Sequence, residues 1–380
     1  MDPTRTTRSG EDDRRAAVRK SAERTARRVR KAVQDPAWAI ERIRRRANAT
    51  RAAGGAGPAP RPGSRPVAVL SHAEALRENG FTIYRGLFSP DECGALAAEF
   101  KAAAGITEGV HFTRTDATNK VPATRKVLFD PRILGAVREA LGDQIRFVQP
   151  SDLHYLHDTV GWHRDSVHRA QDNSLAADWA ELDGPYGVVK AILYMEADSA
   201  GMGMLAGSHL SPRAIDDQYV KAVERRGEQI VVERSDEPNR RLSPAEMRKP
   251  LVWVAGVGDV LVFDQRMYHC GRRVVDGVVA RHTEAPKFCL SMVFGLDNLH
   301  SERFYSYFRY ARRELGYRDF DPEYGEQLEA HGLIFRHGLA NYYERHPEEL
   351  RLATLKKPET MDQLVEQFAA AGRSKGLLPA

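Results

Sequence analysis

From residue 67 onward, the apolar and polar positions read as a few helices followed by many strands. Ser71 is placed to cap a short helix running through Asn79. Residues 81–88 (FTIYRGLF) alternate as a strand does. Ser89-Pro90-Asp91-Glu92 is a helix start, with Ser at the cap, Pro at the first helical position and acids in the first turn; it predicts a helix to about Ala104. Asp130-Pro131 opens another helix that ends near Gly142. Strand-like runs then dominate at 145–148, 153–156, 188–195, 251–254, 260–263 and 288–294, parted by Gly, Pro, Asp and Asn clusters. Helical patterns do not alternate with these strands, which argues against a parallel βαβ sheet. The expected fold is mainly β with flanking helices (α+β), an antiparallel barrel or jelly roll with helices packed outside. Residues 211–249 are charged and read as an insertion, and residues 302–316 and about 345–372 read as helices.

The start of the chain differs in kind. Residues 12–46 are rich in Arg and Ala with a sparse apolar set, and residues 52–66 (AAGGAGPAPRPGSRP) form a Gly/Pro linker. Residues 1–66 are thus expected to be a basic extension and linker, and residues 67–380 a single domain with a β core over about 81–295 and a helical region over 300–380. So few apolar side chains cannot offset ordering entropy, which favours a solvated extension. Its charge also suits an anionic surface or a partner protein.

Charge follows the same division. The net charge of +5 splits into 18 basic and 7 acidic side chains in residues 1–66, a net of +11, and 39 basic and 45 acidic in the remainder, a net of −6. The basic pI belongs to the extension, and no nucleic-acid partner is expected for the acidic core. No apolar run reaches the roughly 20 residues of a membrane span, and no apolar stretch follows Met1 as a secretory signal would. Cys93, Cys270 and Cys289 are too few and too scattered for a disulfide framework or a cysteine zinc site, so the cytoplasm is the expected compartment.

The strongest chemical signal is Gly161-Trp162-His163-Arg164-Asp165. Residues i and i+2 of a strand point to one side, so His163 and Asp165 can aim an imidazole nitrogen and a carboxylate oxygen at one point. A third ligand should come from a distant strand that closes the barrel. His269, 106 residues further on and preceded by the turn and β-run Gly258-Asp259-Val260-Leu261-Val262-Phe263, is the candidate. Two neutral imidazoles and one carboxylate on one face of a metal leave the opposite positions open, as in non-haem Fe(II) oxygenases. His154 and His157 differ by three and cannot both ligate from one strand; neither they nor His168 is expected to be a ligand.

These segments resemble the phytanoyl-CoA dioxygenase-like family of Fe(II)/2-oxoglutarate oxygenases. Residues 78–100 (ENGFTIYRGLFSPDECGALAAEF), 129–142 (FDPRILGAVREALG), GWHRD, 201–210 (GMGMLAGSHL) and 258–271 (GDVLVFDQRMYHCG) are similar to family segments in the family's order. The Gly-Ser-His stretch is the looser match, because Ala200 and Met202 replace its upstream Gly and Leu. The resemblance implies a double-stranded β-helix (jelly-roll) core, with His163, Asp165 and His269 as ligands of Fe(II), and 2-oxoglutarate and O2 as cosubstrates. It also implies a cation for the distal carboxylate of 2-oxoglutarate, at the start of the strand after the second His. Two residues compete. Arg281 is 12 positions beyond His269 but separated from the strand by His-Thr-Glu-Ala-Pro; Lys287 is 18 beyond and opens the run FCLSMVFG directly. Attachment to the strand favours Lys287, because loops tolerate insertions, whereas an Arg fork suits a carboxylate better.

Asp165 stands where halogenating relatives carry a small residue, so hydroxylation or a related oxidation is expected, with release of succinate and CO2. His209 is expected to be structural. Arg225, Arg226, Arg240 and Arg241 of the insertion read as an exposed charged lid, and Phe304, Tyr307 and Phe308 as a core-packing helix face that leaves Tyr305 and Arg309 on another. The substrate class stays open among a polar metabolite, natural product, saccharide or acyl thioester. The alternative function is a cupin-like metal-binding or regulatory protein without oxidase activity.

Overall fold

The computed structural model describes residues 68–335, except 157–161, 166–177, 180–183, 198–199, 211–238, 245, 248–249, 276–277 and 281–286, together with residues 342–347. The N-terminal extension, Arg281, most of the charged insertion and the helix expected over 345–372 lie outside the described residues.

Helix α1 (His72–Asn79) is closed at its start by Ser71, whose hydroxyl accepts from Glu74 N while Glu74 takes the Ser71 amide, and at its end by Gly80 at φ 89°. Strand β1 (Phe81–Tyr84) follows. Helix α2 (Pro90–Ala104) repeats the capping box with Ser89 and Glu92. After β2 (Phe112–Thr115) and three short helical turns, α3 (Pro131–Leu141) starts on the Asp130 carboxylate. The two strand runs expected at 145–148 and 153–156 are one strand, β3 (Ile145–Tyr155). The Gln-Pro-Ser-Asp stretch between them has the composition of a turn, but Gln149 absorbs the irregularity at φ 71° and pairing continues.

The remaining strands are β4 (Val188–Ala197), β5 (Ala200–Leu205), β6 (Pro250–Val254), β7 (Val260–Asp264), β8 (His269–Val275), β9 (Val278–Ala280) and β10 (Lys287–Leu296). They form two antiparallel sheets, β1-β7-β4-β10-β3-β2 and β6-β5-β8-β9. From β3 onward the chain alternates between them: β3 in the large sheet, His163 bridged to β8 of the small one, β4 back in the large, β5 and β6 in the small, β7 large, β8 small, β10 large. This is the double-stranded β-helix. Strands β1, β4, β7 and β10 of the large sheet have one face for each of two cores. Val189, Ala191, Leu193, Val260, Val262, Leu290 and Met292 pack on Phe100, Leu134 and Val137 of α2 and α3. Ile192, Tyr194, Leu261, Phe263 and Cys289 face Met202, Met204, Leu251 and Trp253 of the small sheet.

The C-terminal segment begins as α4 (Leu299–Ser306), shorter than the helix expected over 302–316, and continues as a π turn over Tyr307–Ala311. Phe304, Tyr305 and Tyr307 are all buried against Val148, Val188 and Val293, so Tyr305 belongs to the core. Helix α5 (Pro322–Ala330) packs on the outer core through Tyr324 and Leu328. Arg240 and Arg241 are engaged in ion pairs with Glu246 (2.5 Å) and Glu78 (2.8 Å).

Candidate metal centre

The site begins with a turn. Asp259 takes the amides of Gly256 (2.7 Å) and Gly86 (2.9 Å) and the Arg85 guanidinium (2.6 Å), fixing the entry to β7. A Cβ on Gly258, at φ 81°, would stand 1.9 Å from the Phe88 carbonyl oxygen, so only Gly fits there. Strand β7 then delivers Asp264, which accepts from the Arg266 backbone and guanidinium (2.8, 3.0 and 2.7 Å) and so ties down the turn that presents His269.

His269 and His163 exchange backbone hydrogen bonds in both directions at 2.9 Å, and Asp165 N donates to Gln265 O at 3.1 Å. The structure thus brings His163, Asp165 and His269 together. His163 Nε2 lies 3.5 Å from Asp165 Oδ1, and His269 Nε2 lies 3.6 Å from Asp165 Oδ2. One ligand atom from each falls within 4.8 Å of the others. Ligands at about 2.1 Å from one ion stand about 3 Å apart in cis positions, so small movements close the set around a single metal. His269 Nδ1 bonds the Met267 carbonyl at 2.9 Å, which requires the proton on Nδ1 and leaves the Nε2 lone pair facing Asp165. Burial, reinforced by His163, pushes His269 down to about 3, so its ring is neutral and ready to ligate. Burial opposes the charge on Asp165, but Lys190 and a hydrogen bond from His163 outweigh it and hold the carboxyl well below its ordinary range.

Between the ligands, Arg164 turns the other way. Its guanidinium donates to the carbonyls of Arg266 (2.8 Å) and Ser208 (3.0 Å). Ser208 Oγ accepts from Tyr268 N at 2.8 Å, and Trp162 stacks on Tyr268 at 5.5 Å. The Gly-Ser-His stretch therefore holds both ligand segments in place. His209 bonds Arg77 O at 3.0 Å and lies under Gly80, whose hypothetical Cβ would meet its ring at 2.5 Å.

Residues 76–276 match the profile of the phytanoyl-CoA dioxygenase (PhyH) family, more than half of the chain. The chain belongs to this family. It is accordingly a non-haem Fe(II)- and 2-oxoglutarate-dependent oxygenase that consumes O2. Solved structures similar to it include the epimerase SnoN in complex with Fe3+, alpha ketoglutarate and nogalamycin RO (16% identity, 59% of this chain and 82% of that chain, TM-score 0.39). Another is HygX from Streptomyces hygroscopicus with nickel and 2-oxoglutarate bound (16% identity, 61% of this chain and 88% of that chain, TM-score 0.40). No curated protein matches the chain. Among the described residues, no helix is long and apolar enough to cross a membrane.

Three groups of this PhyH-family site were not picked out in the sequence. Lys190 of β4 donates to Asp165 Oδ2 at 2.5 Å. It is a single cation in the apolar run VVKAILYM, and a charge at an inward strand position is the signal that identifies it. Asp152 of β3 carries the same signal in QPSDLHYL. Tyr317, from the C-terminal segment, is buried within electrostatic reach of Asp152, Asp116 and Asp165, and nothing in its local sequence marks it. Lys287 opens β10 and is buried; its position has the parity of Cys289, and Cys289 feels Lys287, Asp152 and Lys190 together. Val293 of β10 pairs with Lys190, six residues along from Lys287, about 20 Å of strand.

Proposed function

We propose that the protein oxidises a polar small molecule at an Fe(II) centre held by His163, Asp165 and His269, within an oxygenase domain comprising residues 67–380. The observation that carries the ligand set is the convergence of one atom from each of these residues, with the Nε2 lone pair of His269 free by virtue of its Nδ1–Met267 bond. When bound, the iron supplies the site at which 2-oxoglutarate and O2 react to give succinate, CO2 and an oxidised substrate. The chain's own residues do the rest. The ladder bond between His163 and His269 fixes the angle between two ligands, Arg164 anchors the loop between His163 and Asp165, and Lys190 occupies one oxygen of Asp165. His163 is the most open of the three, with a quarter of its side chain exposed, which supports an approach to the metal from its side.

For the distal carboxylate of 2-oxoglutarate, Lys287 is our choice over Arg281. What supports it is its inward position on β10, facing Lys190 along the same sheet. The polar substrate class is supported by the acid, base and phenol that face the interior, a lining that an acyl chain cannot pair.

The test is anaerobic addition of Fe(II) and 2-oxoglutarate, watching for the charge-transfer absorption of the chelate. The expected result is a band in the wild type that is lost in His163→Ala and needs more 2-oxoglutarate in Lys287→Ala. No band in the wild type, or an undiminished one in His163→Ala, refutes the assignment.

A further inference from the structure

Beside the triad, several inward polar positions of the large sheet are less enclosed than their strand neighbours. Along β3, Ser151, Leu153 and Tyr155 are buried, whereas Asp152 and His154 between them are half-buried. On β4, Lys190 is half-buried between buried neighbours. Such exposure of inward polar positions, in strands otherwise closed to water, belongs to groups lining a space. Lys190 is engaged with Asp165 at 2.5 Å. Asp152 is left facing that space with the Ser291 hydroxyl as its neighbour; burial pushes its carboxyl up to about 6, with Lys190 pulling the other way. Among the described residues Asp152 forms no ion pair, Lys120 and Lys190 acting on it only from further away, and a buried carboxyl is costly unless something else satisfies it.

A strap from the C-terminal segment crosses at this level. Thr115, directly opposite Asp152 in the β2–β3 ladder, donates its hydroxyl to Leu315 O at 2.8 Å. Gln149 donates to Arg318 O at 2.5 Å, Asp116 accepts from Arg318 N at 3.0 Å, and Asn119 donates to Asp319 O at 3.1 Å. Gln149 and Asp116 also bond each other at 3.2 Å, and both have left-handed backbones, at φ 71° and 57°. Non-glycine residues in that region cost on the order of 1 kcal/mol each and cluster at functional sites. The strained pair therefore serves to hold the strap. Tyr317 lies between its anchors, buried, with its carbonyl fixed by Arg309 at 2.7 Å and its ring edge-on to Phe308 at 5.9 Å. Burial, with the carboxylates of Asp152, Asp116 and Asp165, keeps its phenol protonated.

We propose that Asp152 and Tyr317 form the recognition end of the metal cavity and bind a hydrogen-bond-donating group of the substrate, a hydroxyl or an ammonium. The inference rests on the oxygenase reading above and names its substrate class. The hydrocarbon of an acyl thioester, unlike its pantetheine arm, offers no donor and placed there would leave the Asp152 carboxylate unpaired, the kind of mismatch that sites built around buried polar groups reject most strongly.

The test uses the full-length protein loaded anaerobically with Fe(II) and 2-oxoglutarate. Cyclic polyols, their amino analogues and medium-chain acyl-coenzyme A thioesters are titrated in, and the shift of the chelate band is followed. The expected result is that a polyol or amino polyol shifts the band. Asp152→Asn and Tyr317→Phe should each raise its Kd at least about ten-fold, the size of a lost hydrogen bond to a charged group, and still form the substrate-free band. A loss in Asp152→Asn confined to the amino analogue identifies an ammonium, and an equal loss for both a hydroxyl. A shift with acyl thioesters only, no shift with any compound, or unchanged Kd values in both variants overturns the inference. Absence of the band in the wild type overturns the oxygenase reading and this inference with it.

Discussion

Replacing Lys190 with Met probes the charge balance of the centre. The pair it forms with Asp165 is short, at 2.5 Å, and both side chains are largely enclosed, with 16% and 11% exposed. Taking away one partner leaves a buried carboxylate uncompensated, which costs about 3–5 kcal/mol when burial is complete. The residual exposure here favours the lower end, about 3 kcal/mol. The metal-free variant should therefore unfold at a clearly lower urea concentration, with an unchanged slope. Divalent metal supplies the missing positive charge, so the loss should shrink in the loaded protein. The difference appears as tighter binding, by up to about 100-fold if the metal compensates in full. Urea unfolding with and without Mn(II), in the wild type, Lys190→Met and Lys190→Met/Asp165→Asn, measures all of this, and the double variant should recover most of the metal-free stability. Equal metal-free stability of wild type and Lys190→Met, or weaker metal binding by the variant, would refute the reasoning.

His269 is pushed down to about 3 by burial, so the unfolded chain binds a proton there before the folded one does. That contribution is present above the ordinary histidine pKa of about 6.5 and is lost as pH falls from there towards 3; urea unfolding of metal-free His269→Gln should show a flatter pH dependence in that window. Gly258→Ala should destabilise by at least about 1–3 kcal/mol, because the new Cβ meets the Phe88 carbonyl and the backbone is left-handed. Gly86→Ala, with a similar φ of 55° and open space around it, should cost only about 1 kcal/mol in the same thermal melt. Arg164→Ala should weaken Mn(II) binding, measured by calorimetry, without removing a ligand, and Arg164→Lys should not restore it, since one ammonium cannot span the Arg266 and Ser208 carbonyls.

Elements governed by neighbours in sequence were legible. The capping boxes at Ser71 and Ser89 and the Asp130 cap set α1, α2 and α3 within a residue or two. The apolar runs of β4, β7 and β10 announced a buried sheet, and the HxD spacing announced two ligands on one side. Two kinds of feature were not legible. Strand β3 looked broken, because a Gln-Pro-Ser-Asp stretch has turn composition, whereas pairing with β10 on both sides of Gln149 keeps the strand continuous. The segment that carries Tyr317 is held by bonds between residues about 170 to 200 positions apart, which no local pattern encodes.

The rung joining His163 to His269 ties together two parts of the chain 106 residues apart. A metal shared by those two side chains works as a removable staple over a very long loop, and closing long loops is where such staples contribute most. Withdrawing the ion should loosen this edge of the barrel before the rest. Protease sensitivity around Trp162 and Tyr268 then becomes a gauge of metal supply, and the lifetime of the protein is linked to the ion it needs to function.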